Sequence, residues 1–307
     1  MTGLLPDLLI ISVLFLIQAT FVLLVAGPLI LLKPMRRTRK WYARITTLLE
    51  PADAGLPQEQ VAIETFDGLR LDGWLVARPD RARGTIIYLH GVGDCKIGGV
   101  AFARFLYNKG FNVLLYDSRE HGVSEGTYCT YGFYEKHDLS SAIDLLLARS
   151  DISVGKIGVY GTSMGAAIAI QGAVVDRRIA AVVAEGSFTD LKTIFVDYQK
   201  RIIKLPWHFL RNVALVQSQM LANFKARLVS PINDIGRIKV PILIVHGAED
   251  SFIKSAYARR LYDAANEPKK LLLIENADHN DVWEIGGLVY EETVSSFFEE
   301  HLTSRPS

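Results

Sequence analysis

Lys156-Ile157-Gly158-Val159-Tyr160-Gly161-Thr162-Ser163-Met164-Gly165-Ala166-Ala167-Ile168-Ala169-Ile170 runs from a short apolar stretch, through two glycines flanking a serine, into small and apolar residues. Residues 156–160 read as a buried strand and residues from 163 onward as a helix. Gly161-x-Ser163-x-Gly165 therefore sits on a sharp strand-to-helix turn. A serine hydroxyl is a weak nucleophile and must be held clear of the backbone where a base can reach it. Gly161 and Gly165 leave out side chains that so tight a turn would not accommodate. The five-residue pattern is common by chance, and the strand before it and the helix after it give it weight.

Working outward, short continuous apolar runs recur at Thr85 to Leu89, Phe111 to Tyr116, Ile179 to Ala184, Pro241 to Val245 and Lys270 to Ile274. Runs without polar alternation suit strands covered on both faces. Helical patterns fall between them at Phe102 to Lys109, Tyr134 to Arg149, Ser163 to Val175, Ser255 to Asn266 and Glu291 to His301. Before them, Val61 to Phe66 and Leu69 to Ala77 flank Asp67-Gly68, a pair that tolerates the positive φ angles of a tight hairpin turn. A hairpin followed by strand–helix alternation predicts an α/β fold with a mostly parallel, doubly wound sheet.

The stretch from Ser187 to Lys239 is too long for a simple crossover, so an insertion with its own helices is expected at about 187–239. Leu191, Ile194, Phe195, Tyr198 and Ile202 recur at helical spacing, as do Trp207, Leu210, Ala214, Leu221 and Phe224. The insertion reads as a lid whose apolar faces pack on the core, with some residues left to line an acyl pocket. Lys192, Lys200, Arg201, Lys204 and Arg211 lie opposite much of this apolar spacing. They form either a solvated face or one that rests on anionic lipid.

Leu8 to Leu32 carries no charge, and as a helix it outreaches the roughly 30 Å hydrocarbon layer of a bilayer. It reads as a transmembrane anchor. The cleaved-signal alternative requires a basic start and a shorter apolar core, whereas Asp7 precedes this run and no Lys or Arg does. Lys33, Arg36, Arg37, Arg39, Lys40 and Arg44 follow, and this positive bias places the C-terminal part on the cytoplasmic side. The divisions are 1–33 anchor, 34–60 connector interrupted by Pro51, Gly55 and Pro57, and 61–303 catalytic domain.

His90-Gly91-Val92-Gly93-Asp94 follows the strand Thr85 to Leu89, a turn whose N–H groups would face a developing oxyanion. Val92 and Met164, the latter directly after the serine, are the expected donors. His90, in front of this turn, reads as a structural hydrogen-bonding residue. Asp250 and His279 each fall just after a parallel strand, at the sheet edge where such folds assemble sites. In the order Ser163, Asp250, His279, the histidine is the expected base and Asp250 the acid that fixes its tautomer. Glu249 and Asp278 are rival acids.

The chain resembles the α/β-hydrolase superfamily, and within it membrane-anchored serine hydrolases similar to BEM46-like, prolyl-oligopeptidase-like and dienelactone-hydrolase-like groups. The resemblance spans about Val61 to His301. It rests on His90-Gly91, the Asp117-Ser118-Arg119-Glu120-His121-Gly122-Val123-Ser124 loop, the Ser163 turn, His246-Gly247 leading to Asp250, and His279. Glu120 and Asp278 stand where the family commonly has Gly, and His121 is expected to be structural. The resemblance implies an acyl-enzyme hydrolase of carboxylic esters or thioesters, the substrate acyl group being lipid-derived in one reading. A peptidase or amidase, or a non-catalytic membrane scaffold, are the alternatives.

The chain has 307 residues, half of them apolar, and a net charge of +1, with basic residues dispersed rather than interleaved with aromatics. That argues against nucleic-acid binding. Cys95 and Cys129 are at no metal-ligand spacing and read as free thiols. No Walker loop, dinucleotide fingerprint or zinc spacing occurs, so neither a metal nor a cofactor is expected.

Overall fold

Thr85–Leu89 (β3), Asn112–Tyr116 (β4), Ile157–Thr162 (β5), Ile179–Glu185 (β6) and Ile242–Gly247 (β7) are almost wholly buried, as apolar runs without alternation require. They form the centre of an eight-stranded sheet in a computed structural model that describes residues 4–200 and 208–303. Glu59–Glu64 (β1) and Arg70–Val76 (β2) pair antiparallel, β2 runs antiparallel to β4, and the remaining pairs, out to Lys269–Ile274 (β8), are parallel. The order is β1-β2-β4-β3-β5-β6-β7-β8. β8 departs from the expected covered strand: it is the sheet edge, and most of its residues are only half-buried.

Helices cover both faces. One layer holds Glu135–Leu147 (α5), Met164–Val175 (α6) and Ser255–Ala264 (α10), packed on Ile87, Leu89 and Val159. The other holds Val100–Asn108 (α4) and Val282–Leu302 (α11), packed on Ile86, Tyr88 and Tyr160. Successive strand residues serve opposite layers, as period-two geometry demands. Each fully buried aromatic such as Phe298 contributes roughly 2–3 kcal/mol. The small residues Ala166, Ala167 and Ala169 let α6 lie close to the sheet, and a Cβ on Gly172 would press into Leu139 of α5. α11 begins at Val282, nine residues before the expected Glu291. It crosses Gly286-Gly287 with a kink at Gly287, which a reading of residue spacing takes for a boundary.

The insertion folds as Leu191–Tyr198 (α7), His208–Leu221 (α8) and Pro231–Ile235 (α9). Leu191, Ile194, Phe195, Ala214 and Phe224 are buried, so these apolar positions pack inward. Ile202, Trp207, Arg201 and Lys204 lie outside the described residues.

At the N-terminus, Leu4–Phe21 (α1) passes through a wider turn at Val22–Ala26 into Gly27–Leu32 (α2). Pro6–Leu32 is long and apolar enough to cross a membrane, with a mean hydropathy of 2.8 and large side chains such as Leu9 and Phe15 exposed. Its far end is docked. Leu32 is buried in the core, Gly27 abuts Ala214 of α8, and the carbonyls of Leu31 and Leu32 accept from the Tyr131 hydroxyl and the Cys129 N–H. These bonds satisfy carbonyls that a helix end leaves open. The connector is docked as well. Arg39–Tyr42 (α3) sets Tyr42 beside Trp74, Cys95 and Val100, and Pro51 and Leu56 are buried, so packing starts well before Val61.

Candidate active site

The sharp turn between β5 and α6 holds Ser163 at φ 55°, ψ −114°, a backbone conformation costing on the order of 1–3 kcal/mol for a residue with a side chain. Packing supplies the constraint. A Cβ on Gly161 would collide with the Gly165 carbonyl, and one on Gly165 with the carbonyls of Leu89 and His90, so neither position admits another residue without displacing backbone. The Ser163 N–H is anchored to the Glu185 carbonyl at the end of β6, 2.8 Å away. α6 starts at Met164, whose N–H belongs to the first turn and has no intrahelical acceptor.

The loops after β7 and β8 bring the other two residues. His279 Nε2 lies 3.0 Å from Ser163 Oγ, and His279 Nδ1 lies 2.7 Å from Asp250 Oδ2. Burial alone would raise the Asp250 pKa. Hydrogen bonds from His246, His279 and the Ile253 backbone outweigh it and hold the carboxyl well below the usual range. Asp250 is thus an ionised acceptor, which puts the ring proton on Nδ1 and leaves Nε2 to accept from the serine hydroxyl. The geometry allows proton transfer from Ser163 to His279 as the oxygen attacks a carbon centre.

Neither rival acid occupies that position. Asp278 accepts from Ser251 N–H at 2.6 Å, Ser251 Oγ at 2.9 Å and the His279 N–H at 2.7 Å, so it ties the two loops together. The Ser251 bond also lowers the Asp278 pKa. Two residues take roles that the spacing of the sequence did not assign. His246, fully buried, has Nε2 3.1 Å from Asp250 Oδ2 and 2.8 Å from the Ile253 carbonyl, giving the carboxylate a second ring donor. Glu185 is buried beneath the serine turn and receives the hydroxyls of Tyr160 at 2.8 Å and Tyr290 at 2.5 Å, and burial pushes its pKa up. The His246-Gly247 pair was visible as a motif. The link from Glu185 to Tyr290 spans 105 positions, and no local pattern reveals it.

The turn after β3 is pinned by two histidines. His90 Nε2 accepts from the Ser118 N–H at 2.9 Å and its Nδ1 donates to the Gly91 carbonyl at 2.8 Å. His121 Nε2 accepts from the Gly93 N–H at 3.0 Å, while Nδ1 donates to the Arg119 carbonyl at 2.9 Å. Each ring is neutral by this pattern. Burial, with His90 and Arg36 nearby, lowers the His121 pKa to about 3. Val92 lines the same recess as Ser163, whereas the Met164 side chain is buried in the core, leaving only its backbone for any role.

These residues border a cavity of about 460 Å³. Gly91, Val92, Thr162, Ser163, His279 and Asn280 line it from the sheet edge, Tyr198 from the insertion, Phe252 from the acid loop, Asp94 from the turn after β3, and Arg37 from the segment after the N-terminal helix. Among the described residues, no cluster of three or more His, Cys, Asp or Glu side chains is placed to hold a metal ion.

Sequence and structure comparisons agree with the α/β-hydrolase fold. The family described as serine aminopeptidase, S33, matches residues 80–234, which include the serine turn and stop short of Asp250 and His279. The uncharacterised protein YqkD of Bacillus subtilis is 32% identical over 234 residues, 76% of each chain. The α/β-hydrolase domain-containing protein WAV2 of Arabidopsis thaliana is 28% identical over 82% of each chain. Among solved structures, the esterase Pf2001 of Pyrococcus furiosus superposes with a TM-score of 0.70 at 26% identity, covering 82% of this chain and 96% of its own. This chain is a hydrolase and belongs to the serine aminopeptidase S33-like family of α/β hydrolases.

Proposed function

We propose that the chain is a membrane-anchored serine hydrolase that cleaves carboxylic esters or thioesters through an acyl-enzyme intermediate. The observation that carries this reading is the continuous hydrogen-bond series Ser163–His279–Asp250 opening on the cavity. Ser163 Oγ attacks the acyl carbon while its proton passes to His279 Nε2, and Asp250 stabilises the imidazolium. The tetrahedral oxyanion meets the N–H groups of Val92 and Met164. On collapse, the carbon–leaving-group bond breaks and the His279 proton goes to the departing alkoxide or thiolate. Water then repeats the sequence and frees the acid. Every step uses side chains and backbone of this chain, and no cofactor enters.

Likeness to the Pf2001 esterase supports the ester reading, and the aminopeptidase description of the family favours amide cleavage as the second. The first covalent step is common to both. Turnover of 4-nitrophenyl esters against amino-acid anilides by the full chain in detergent micelles separates them. Ser163→Ala is expected to lower ester turnover on the order of 10⁴-fold or more. Unchanged ester turnover in that variant would refute the reading.

The length and hydropathy of Pro6–Leu32 support its reading as the anchor, and the cationic stretch after it favours the cytoplasmic side for the catalytic body. The insertion acts as a lid beside the bilayer: α8, abutting the anchor at Gly27, exposes Phe209, Val216 and Met220. Cysteine-labelling from either side of oriented vesicles tests the orientation. Labelling of the catalytic body from the outer face alone would contradict it.

A further inference from the structure

The segment between the N-terminal helix and α3 crosses the turn after β3, and it brings a cation into the cavity wall. The Arg37 N–H donates to the Gly93 carbonyl at 2.7 Å, and Gly93, at φ 74°, has no room for a Cβ because the Met35 carbonyl lies against it. Arg36 forms a 2.5 Å ion pair with Glu120, which holds a left-handed φ of 61°. These contacts fix the backbone on either side of Arg37, and the Trp41 ring lies 4.5 Å beneath its guanidinium.

The guanidinium itself is weakly satisfied. Among the described residues its side-chain hydrogen-bond partners are Asp94 Oδ2, at 3.5 Å, the outer limit for such a bond, and the Tyr42 hydroxyl. The other Asp94 oxygen is taken by the Tyr42 hydroxyl and the Cys95 N–H. An arginine carries five donors in a planar fork matched to carboxylate or phosphate oxygens. Here the side chain is 41% exposed and borders the cavity that holds Ser163 and His279. An adjoining recess, sharing Phe252, adds Lys200 and Lys254 against Asp197, so the rim carries more positive than negative charge.

We propose that Arg37 is the anion-recognising residue of the substrate site, and that the physiological substrate is an ester or thioester bearing a carboxylate or phosphate. The proposal rests on the serine-hydrolase reading above. The anion belongs to either the acyl or the alcohol side of the scissile bond, and the recognition chemistry is the same. The strap after the membrane helix thereby takes part in specificity as well as in tethering.

The test compares matched substrates on the full chain in micelles. One pair is 4-nitrophenyl butyrate and 4-nitrophenyl hemiglutarate, with the anion on the acyl side. The other is a monoacylglycerol and the corresponding lysophosphatidate, with the anion on the alcohol side. In Arg37→Gln the anionic-to-neutral ratio of kcat/KM is expected to fall about tenfold or more in one pair, chiefly through KM. Arg37→Lys, keeping charge without the fork, should recover part of it. In the native protein, raising salt from about 50 to about 500 mM should depress the same ratio. This arm decides the matter if the variant does not fold.

An equal loss for anionic and neutral members would show that Arg37 only braces the turn, and an unchanged ratio in both pairs would also overturn the proposal. Fluorophosphonate labelling of Arg37→Gln separates these results from failure of the serine-hydrolase reading. A labelled variant has a working Ser163, whereas a native protein that does not label refutes the parent reading.

Discussion

The serine turn and the Arg37 strap line one cavity, yet they are held by different means. Ser163 is fixed by backbone packed on backbone: two glycines in van der Waals contact with neighbouring carbonyls, and an N–H bonded to the adjacent strand. Arg37 is fixed by side chains and a single main-chain bond, reaching Asp94, Gly93 and Trp41 from a segment that follows an apolar helix. Geometry of the first kind is rigid, and any change there disturbs the sheet. Geometry of the second kind tolerates substitution, so specificity can vary there while the reacting atoms stay in place.

The comparison can be broken most severely at the glycines. Gly165→Ala drives a Cβ into the Leu89 and His90 carbonyls, and a loss of about 3 kcal/mol or failure to fold is expected. Gly287→Ala, at φ 48° and ψ −130° with nothing within 4 Å, should cost less, the backbone strain alone, at the low end of about 1–3 kcal/mol. Thermal unfolding of the two proteins checks the contrast, and equal losses would mean that the turn is not under steric control.

Acid should next loosen the side-chain-held half. His121, which accepts from Gly93, has its pKa lowered to about 3 in the folded chain against about 6.5 unfolded. The unfolded state therefore takes up a proton first. The contribution is full above about pH 6.5 and is lost as pH falls toward 3, at about 1.4 kcal/mol per unit. His121→Gln should flatten that part of the stability–pH curve, as read by denaturant titration at pH 7 and pH 5. An unaltered slope would remove His121 as its source.

Asp278 sharpens the comparison within the site. Asp278→Ala deletes the acceptor shared by Ser251 and the His279 N–H, and kcat should fall about tenfold with Ser163 still reactive toward a phosphonate probe. No change in kcat would show that His279 is positioned without this tie.

Smallest is Glu120→Gly. Relief of a left-handed residue, worth about 1 kcal/mol, opposes loss of the Arg36 pair. The melting temperature should shift by no more than about 4 °C.

The difference between the two regions also explains what the sequence reveals. The Gly161–Gly165 turn is legible because strand, glycines and helix are contiguous, and Asp250 and His279 because each closes an apolar strand. Glu185 depends on Tyr290, and Arg37 on Asp94 57 positions away, so neither role leaves a local pattern. β8 reads like the central strands because burial follows from sheet order, and its neighbours on one side are simply missing. In α11, Gly286-Gly287 resembles a helix end but is a kink held by packing of Tyr290 and Phe297.

The central claim is that Ser163 is an activated nucleophile, and mass spectrometry of the full chain after fluorophosphonate treatment tests it most directly. The account predicts one adduct, on Ser163, absent in Ser163→Ala and formed far more slowly in His279→Gln. A folded native protein with no adduct, or an adduct that persists in Ser163→Ala, would contradict it.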